Sequence, residues 1–194
     1  VRYYGNGKEE GDFNADGPNV ETDGFGLVLW AARAYLHYSC DVDWLDTNTL
    51  HGDSIYEALT QTAEEIDALL IDDLPAAECS IWETHWNYRE VFTYTAATQI
   101  RGLYDFAAVA RFKGDTARAN YFYGRAQAVH DASLQRLIHP EFNSFVSHLN
   151  VADDNAFVDG STIEMLSWDF VSPTDPLYLG TMNEYQRLQT PFGG

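Results

Sequence analysis

The sequence predicts an all-α fold in which fully buried helices alternate with half-buried ones. Apolar residues recur at helical spacing through most of the chain, and a helix that is apolar nearly all round is followed by an amphipathic one. A short Lys113-Gly114-Asp115 break also joins two long helices as an antiparallel hairpin. This alternation is what a ring of inner and outer helices needs.

The first helix is predicted over residues 25–39, after a stretch at 1–23 whose Gly, Asn and Asp residues indicate loop. Thr22 or Asp23 can cap it. Its apolar residues wrap most of the circumference, so we expect it to be buried between other helices. A second helix, at 54–72, is amphipathic, because its apolar positions step by 4, 3, 4 and 3 residues.

The third helix is predicted over residues 89–112 and the fourth over 115–138, with Gly114 ending one and Asp115 capping the next. The later elements are shorter: a segment at 141–149 that can be extended, and helices at 160–170 and 177–189. We expect residues 1–194 to form a single domain, or part of a larger one.

The composition narrows the class of ligand. The net charge is −19, from 30 acidic and 11 basic residues, and such a field repels nucleic acids and anionic membrane surfaces. No apolar run approaches the ~20 residues of a membrane span. Aromatic residues make up 14% of the chain, and their planar rings suit sugar faces as well as a protein core. A neutral ligand therefore fits best.

Metal and redox sites find little support in the sequence. Cys40 and Cys79 belong to no CxxC or Cys/His cluster, so we expect two free thiols, with a single disulfide between them as the alternative. An acidic stretch at 153–159 offers oxygen atoms of the kind calcium prefers, but it lacks the EF-hand spacing. We predict no metal and no cofactor.

The richest stretch for chemistry is residues 76–92, a predicted loop in which Glu83 directly follows Trp82. A carboxyl group beside apolar aromatic surface has a raised pKa and can act as a general acid near neutral pH. The loop also carries Trp86 and Arg89, and such aromatic and hydrogen-bonding groups suit sugar binding. The alternative is that Trp82 is core and Glu83 a solvated or capping carboxylate.

Glycoside hydrolysis needs a second carboxyl group opposite the acid. Asp23 and Asp159 are the candidates in this chain, because both lie where a loop enters a predicted helix. At a helix start, however, an acidic residue commonly serves as a cap.

Several segments, taken in order, resemble the catalytic domain of glycoside hydrolase family 15, the glucoamylase-like enzymes. They are ETDGFG at 21–26, SIWE at 80–83, VFTYT at 91–95, FNSFVSH at 142–148, DGSTI at 159–163, SPTDP at 172–176 and LQTPFGG at 188–194. Each motif is short, but the ordered set covers nearly the whole chain. Thr84 and Ser80 depart from the family pattern, since many fungal members have acidic residues at both positions.

The resemblance implies an (α/α)6 barrel, here a partial barrel of about six helices, with a sugar site at its inner helix ends. It implies an inverting hydrolase that releases glucose from α-linked oligo- or polysaccharides. Glu83 takes the general-acid position, Trp82 lines the subsite for the terminal glucose, and Asp23 lies at the binding site. The family's general base lies in a later helix, beyond Gly194, so we expect this chain to need the remainder of the barrel or a partner chain.

Two alternatives remain open from the sequence alone. The chain can be a non-catalytic carbohydrate-binding or helical interaction module of the same fold, or it can carry another (α/α)6 chemistry, such as that of a phosphorylase, a lyase or a different hydrolase. The sequence favours neither a cytoplasmic nor a secreted location.

Overall fold

The computed structural model describes residues 2–3, 9–10, 13–14, 17–18, 20–82, 86–151 and 158–186. In these ranges the helices are α1 Asp23–Ser39, α2 Ile55–Ala68, α3 Thr93–Lys113, α4 Thr116–Arg136, α5 Glu164–Ser167 and α6 Pro176–Tyr185. Three 3₁₀ turns lie at Val42–Asp46, Trp86–Tyr88 and Gly160–Ile163. The prediction of an all-α fold, in the form of a partial helical barrel, is confirmed.

The strands in the described residues are each two residues long and pair as four antiparallel hairpins. They are β1 Arg2–Tyr3 with β2 Glu9–Glu10, β3 Phe13–Asn14 with β4 Gly17–Pro18, β5 Leu70–Ile71 with β6 Leu74–Pro75, and β7 Ile138–His139 with β8 Ser144–Phe145. The prediction of loop for residues 1–23 missed β1 to β4. The extended segment expected at 141–149 contains β8.

Helices α1 and α3 run side by side in the same direction with their backbones in contact. A Cβ atom on Gly26 would lie 2.0 Å from the carbonyl oxygen of Thr98, and one on Gly102 would lie 2.5 Å from the Cα atom of Gly26. Only glycine permits this approach. Both helices therefore begin at the same end of the molecule, as inner helices of a barrel do.

Helix α4 returns antiparallel to α3 through the predicted turn. Gly114 adopts a φ of 82° at the end of α3, and the carboxylate of Asp115 accepts the backbone N–H of Arg118 at the start of α4. The core around α3 is aromatic: the ring of Phe106 in α3 lies 6.1 Å from that of Tyr56 in α2 and 5.0 Å from that of Phe122 in α4, measured between centroids. Both parts of the predicted hairpin are confirmed.

Burial distinguishes the two inner helices. Helix α3 has buried residues on every side, whereas α1 buries only one face. Four large side chains of α1 are 40–85% exposed, namely Val28, Trp30, Tyr35 and Tyr38. The prediction that the first helix is buried all round is therefore wrong for this chain, because apolar composition shows that a helix can be buried but not where its neighbours lie.

Several predicted boundaries shift for local reasons. Helix α2 ends at Ala68 rather than 72, because Asp72 and Asp73 adopt positive φ and turn the β5–β6 hairpin. Helix α3 begins at Thr93 rather than 89, because the backbone of Glu90 pairs with that of Glu78. The helix predicted at 160–170 divides into a 3₁₀ turn and the four-residue α5.

Candidate active site at the starts of the inner helices

The predicted catalytic loop is anchored between the first turns of α1 and α3. The backbones of Glu78 and Glu90 exchange two N–H···O bonds of 3.0 Å, and the N–H of Cys79 donates to the carbonyl of Val20 at 2.9 Å. Val20 lies just before α1 and Glu90 just before α3. The intervening residues are thus held at both ends close to the starts of two inner helices.

The side chain of Glu78 connects the starts of α1 and α3 through hydrogen bonds. It is 2% exposed, and its carboxylate accepts the N–H of Thr22 at 2.9 Å, the hydroxyl of Thr95 at 2.6 Å and the backbone N–H of Ser80. Burial raises the pKa of Glu78, these hydrogen bonds lower it, and the charge of Asp23 raises it again, so that the pKa ends above its ordinary value.

Asp23 is the first residue of α1 and is 5% exposed. Burial raises the pKa of its carboxyl group, opposed by a hydrogen bond from the backbone N–H of Gly24. Thr22 holds the N-cap position but makes no side-chain capping bond. The predicted cap by Thr22 is therefore absent, since its hydroxyl instead accepts the side-chain amide of Gln99 at 3.1 Å.

A tyrosine and a second helix start complete the acidic surroundings. Burial raises the pKa of Tyr94, and the charges of Asp23 and Glu164 raise it further. Glu164 begins α5. Burial also raises the pKa of Tyr185 to about 12, and its hydroxyl lies 2.5 Å from that of Thr162. The first turn of α3 therefore carries a tyrosine that is influenced by acidic groups at the starts of both α1 and α5.

The structure describes some of the predicted site residues and not others. Trp82 is 51% exposed, and the Arg89 side chain is exposed. The main chain of Trp86 lies in the Trp86–Tyr88 turn, while its side chain is outside the described residues. Glu83, the predicted acid, also lies outside the described residues. The structure thus brings Asp23 and the anchored ends of the loop together.

Asp159 caps a helical turn, which was the alternative to its role as a second catalytic carboxyl group. Its carboxylate accepts the N–H of Ser161 at 2.7 Å at the start of a 3₁₀ turn. The rest of the candidate calcium stretch, residues 153–157, lies outside the described residues. In the part of the chain that the structure describes, no three His, Cys, Asp or Glu side chains group as metal ligands.

Sequence reasoning missed Tyr94, Glu164 and the central place of Glu78. One pattern pointed to them: α3 is apolar along most of its length, yet its first two turns contain Thr93, Thr95, Thr98 and Gln99. All four are fully buried. The side-chain oxygen of Gln99 is buried without a hydrogen-bond partner among the described residues. A polar first turn in a buried helix indicates a polar network beneath it.

Two remaining observations concern thiols and membranes. Cys40 and Cys79 are both free, as expected, so the disulfide alternative is excluded; Cys40 is exposed and Cys79 is buried. None of the helices in the described ranges combines the length and the apolar character needed to cross a bilayer.

Comparison with known proteins shows which fold this is. No protein-family model matches the chain, and no curated protein matches its sequence. Among solved structures, a bacterial glucoamylase complexed with acarbose matches with a TM-score of 0.65 and 16% identity, over 91% of this chain and 27% of that one. Two glycosidase structures match with TM-scores of 0.62 and 0.59 at 17% and 15% identity, over 88% of this chain and 41% of each of theirs.

The chain therefore has a glycoside hydrolase-like helical-barrel fold. It spans less than half the length of each of these structures. At this level of identity the similarity shows the fold alone, and the activity has to be argued from the residues of the site.

Proposed function

We propose that this chain is part of the catalytic domain of a glucoamylase-like enzyme of glycoside hydrolase family 15, an inverting hydrolase that releases glucose from α-glucosides. One observation carries the proposal. The first turns of α1 and α3 bring Asp23 and Glu78 together with the anchored ends of the loop that contains Glu83. The barrel fold and the ordered motifs support it.

In the proposed mechanism, Glu83 protonates the oxygen of the leaving group. A carboxylate outside this chain activates water on the opposite face of the sugar, and inversion requires the two carboxyl groups to be roughly 6.5–9.5 Å apart. Neighbouring acidic charges favour the protonated form of a carboxyl group near neutral pH. This is the form that a general acid must have.

The proposed binding residues divide by chemistry. Trp82 offers an exposed ring to the apolar face of a glucose unit, and Trp86 has the same role. Asp23 and Arg89 hold the sugar hydroxyls. Residues 1–194 form one domain within a larger barrel, whose remainder supplies the general base and the missing walls of the site.

The test is to change Glu83→Gln in the full-length protein and to measure the hydrolysis of maltose, isomaltose and trehalose. Glutamine keeps the size of the side chain but cannot donate the proton, so we expect kcat to fall roughly 10²- to 10⁴-fold. Glu90→Gln is the matched control, because Glu90 lies in the same loop with an exposed side chain. It should keep wild-type turnover.

Unchanged turnover in Glu83→Gln would remove Glu83 from the chemistry. A wild-type protein that binds these sugars but hydrolyses none of them would favour the non-catalytic carbohydrate-binding module. The anomer of the first product, read by NMR, separates inversion from retention, and release of free glucose rather than a sugar phosphate or an unsaturated sugar separates a hydrolase from a phosphorylase or a lyase.

A further inference from the structure

Glu78 connects three separate parts of the chain through one side chain. Its Oε2 atom accepts the backbone N–H of Thr22 at the start of α1, and its Oε1 atom accepts the hydroxyl of Thr95 in the first turn of α3. The N–H of Ser80, two residues further along the loop, is a third donor. All the residues in this network are buried.

A buried carboxylate is a costly way to join helices. Removing a charge from water is unfavourable unless hydrogen bonds replace its hydration. Here the donors are two backbone amides and a hydroxyl, so the group is satisfied without an ion pair to these partners. Hydrogen bonds from several directions fix a side chain more narrowly than apolar packing does.

The loop also contains a strained residue at this point. Ser80 adopts a φ of 51°, in the left-handed region that non-glycine residues rarely enter. Its hydroxyl lies 3.3 Å from that of Thr95, and its N–H is bonded to Glu78. Such a conformation persists only where the surroundings impose it. Ser80 is followed by Ile81, Trp82 and Glu83 in the sequence.

We infer that Glu78 is a positioning residue: it holds Ser80 in its left-handed conformation and thereby fixes the Ser80-Ile81-Trp82 turn against the start of α1. Glu78 contacts no substrate. Glu78 instead fixes the position of this turn relative to Asp23. The chain continues from the turn to Glu83. The catalytic part of this inference depends on the function proposed above.

Two substitutions of Glu78 differ in the hydrogen bonds that they keep. Glu78→Ala removes all three acceptor contacts. In Glu78→Gln the amide oxygen has two lone pairs and can accept the N–H groups of Thr22 and Ser80, while the amide nitrogen donates to the Thr95 hydroxyl, which is free to rotate. Glutamine therefore restores the geometry without the charge, and it is the conservative variant that should rescue.

Hydrogen exchange of the full-length protein tests the positioning without reference to any activity. We expect amides of residues 79–82 to exchange at least ~10-fold faster in Glu78→Ala, because the turn opens locally, and at wild-type rates in Glu78→Gln. Asp105→Ala is the matched control: it also removes a buried carboxylate from the α1–α3 pair, but away from the loop. Equal exchange in wild type and Glu78→Ala, or an equal increase in Asp105→Ala, would overturn the inference.

Kinetics of the same three variants test the catalytic consequence. A misplaced catalytic segment lowers kcat more than it raises KM, so Glu78→Ala should lose roughly 10- to 100-fold in kcat, and Glu78→Gln should recover most of it. Unchanged kcat in Glu78→Ala would overturn the catalytic part. If the wild type hydrolyses no glucoside, the proposed function fails by itself, and the exchange result still decides the positioning.

Discussion

Glu78 and Asp105 are both buried carboxyl groups at the contact between α1 and α3, but their partners differ. Asp105 lies along α3 beside two guanidinium groups: its carboxylate is 2.6 Å from Arg101 Nε and 3.9 Å from Arg33 Nε. The bonded partners of Glu78 are two backbone amides and a hydroxyl, and the charge of Asp23, another acid, raises its pKa.

This difference separates a structural site from a functional one. Burial raises the pKa of both groups, but opposite charges counteract it at Asp105, while a like charge adds to it at Glu78. The arginines make Asp105 a cross-link between helices. The three hydrogen-bond partners of Glu78 are uncharged, so none of them supplies an opposite charge. We interpret the neighbouring acidic groups of Glu78 and Asp23 as suited to a site where a carboxyl group has to keep its proton.

The largest expected effect comes from separating the two helices, which disturbs both carboxyl sites together. In Gly26→Ala the new methyl group would meet the Thr98 carbonyl oxygen at 2.0 Å, so the backbones must move apart. We expect the free energy of unfolding to fall by about 3 kcal/mol or more, at or beyond the upper end of overpacking costs. Denaturant titration of the full-length protein measures it.

Gly24→Ala is the matched control for this change. Gly24 lies in the first turn of the same helix, and a Cβ atom there would meet nothing within 4 Å. Alanine is favoured over glycine in a helix, so the variant should be as stable as wild type or more stable by up to about 1 kcal/mol. Equal losses in both variants would show that the α1–α3 contact does not depend on Gly26.

A smaller effect sharpens the comparison between the two carboxyl sites. The pKa of Glu78 is raised above its ordinary value of 4.5, so the folded state holds this proton more tightly than the unfolded state does. The contribution of Glu78 to stability is therefore greatest below pH 4.5 and falls as the pH rises through the raised folded value. Glu78→Gln cannot ionise, so its stability relative to wild type should increase over the same range.

Melting temperatures of wild type and Glu78→Gln between pH 4 and pH 7 measure this difference. Asp105→Asn is the comparison: its stability relative to wild type should also increase over this range, because the pKa of Asp105 is raised too, but from a lower starting value, because the change leaves Arg101 without its counter-charge. The opposite result, in which the stability of Glu78→Gln relative to wild type falls as the pH rises, would contradict the prediction. It would mean that folding lowers the pKa of Glu78, because its hydrogen bonds lower the pKa by more than burial raises it.

The regular part of the fold was predictable from the sequence because it depends on local chemistry. Helical periodicity located α2, α3 and α4, and the Gly114-Asp115 pair determined the turn between the last two. Features that depend on distant residues were not predictable. The start of α3 is set by pairing between Glu78 and Glu90, and the exposed face of α1 depends on which distant elements pack against that helix.

In the candidate site, too, residues marked by local sequence features were predictable, and those that depend on distant partners were not. Asp23 could be selected from its position at a helix start, and Trp82 from its place beside Glu83. Glu78 could not be selected as the centre of the site, because its importance arises from bonds to Thr22 and Thr95, which are 56 and 17 residues away. Nothing local in the sequence links Glu164 to Tyr94.

The central claim is that the starts of α1 and α3 form the sugar-binding end of the barrel. The most direct test is a crystal structure of full-length Glu83→Gln with bound maltose. We predict a glucose ring against Trp82, with one hydroxyl within hydrogen-bond distance of the Asp23 carboxylate. Maltose bound elsewhere, for example in the apolar groove of about 420 Å³ between α1 and α2 beside Tyr35 and Leu59, would contradict the claim.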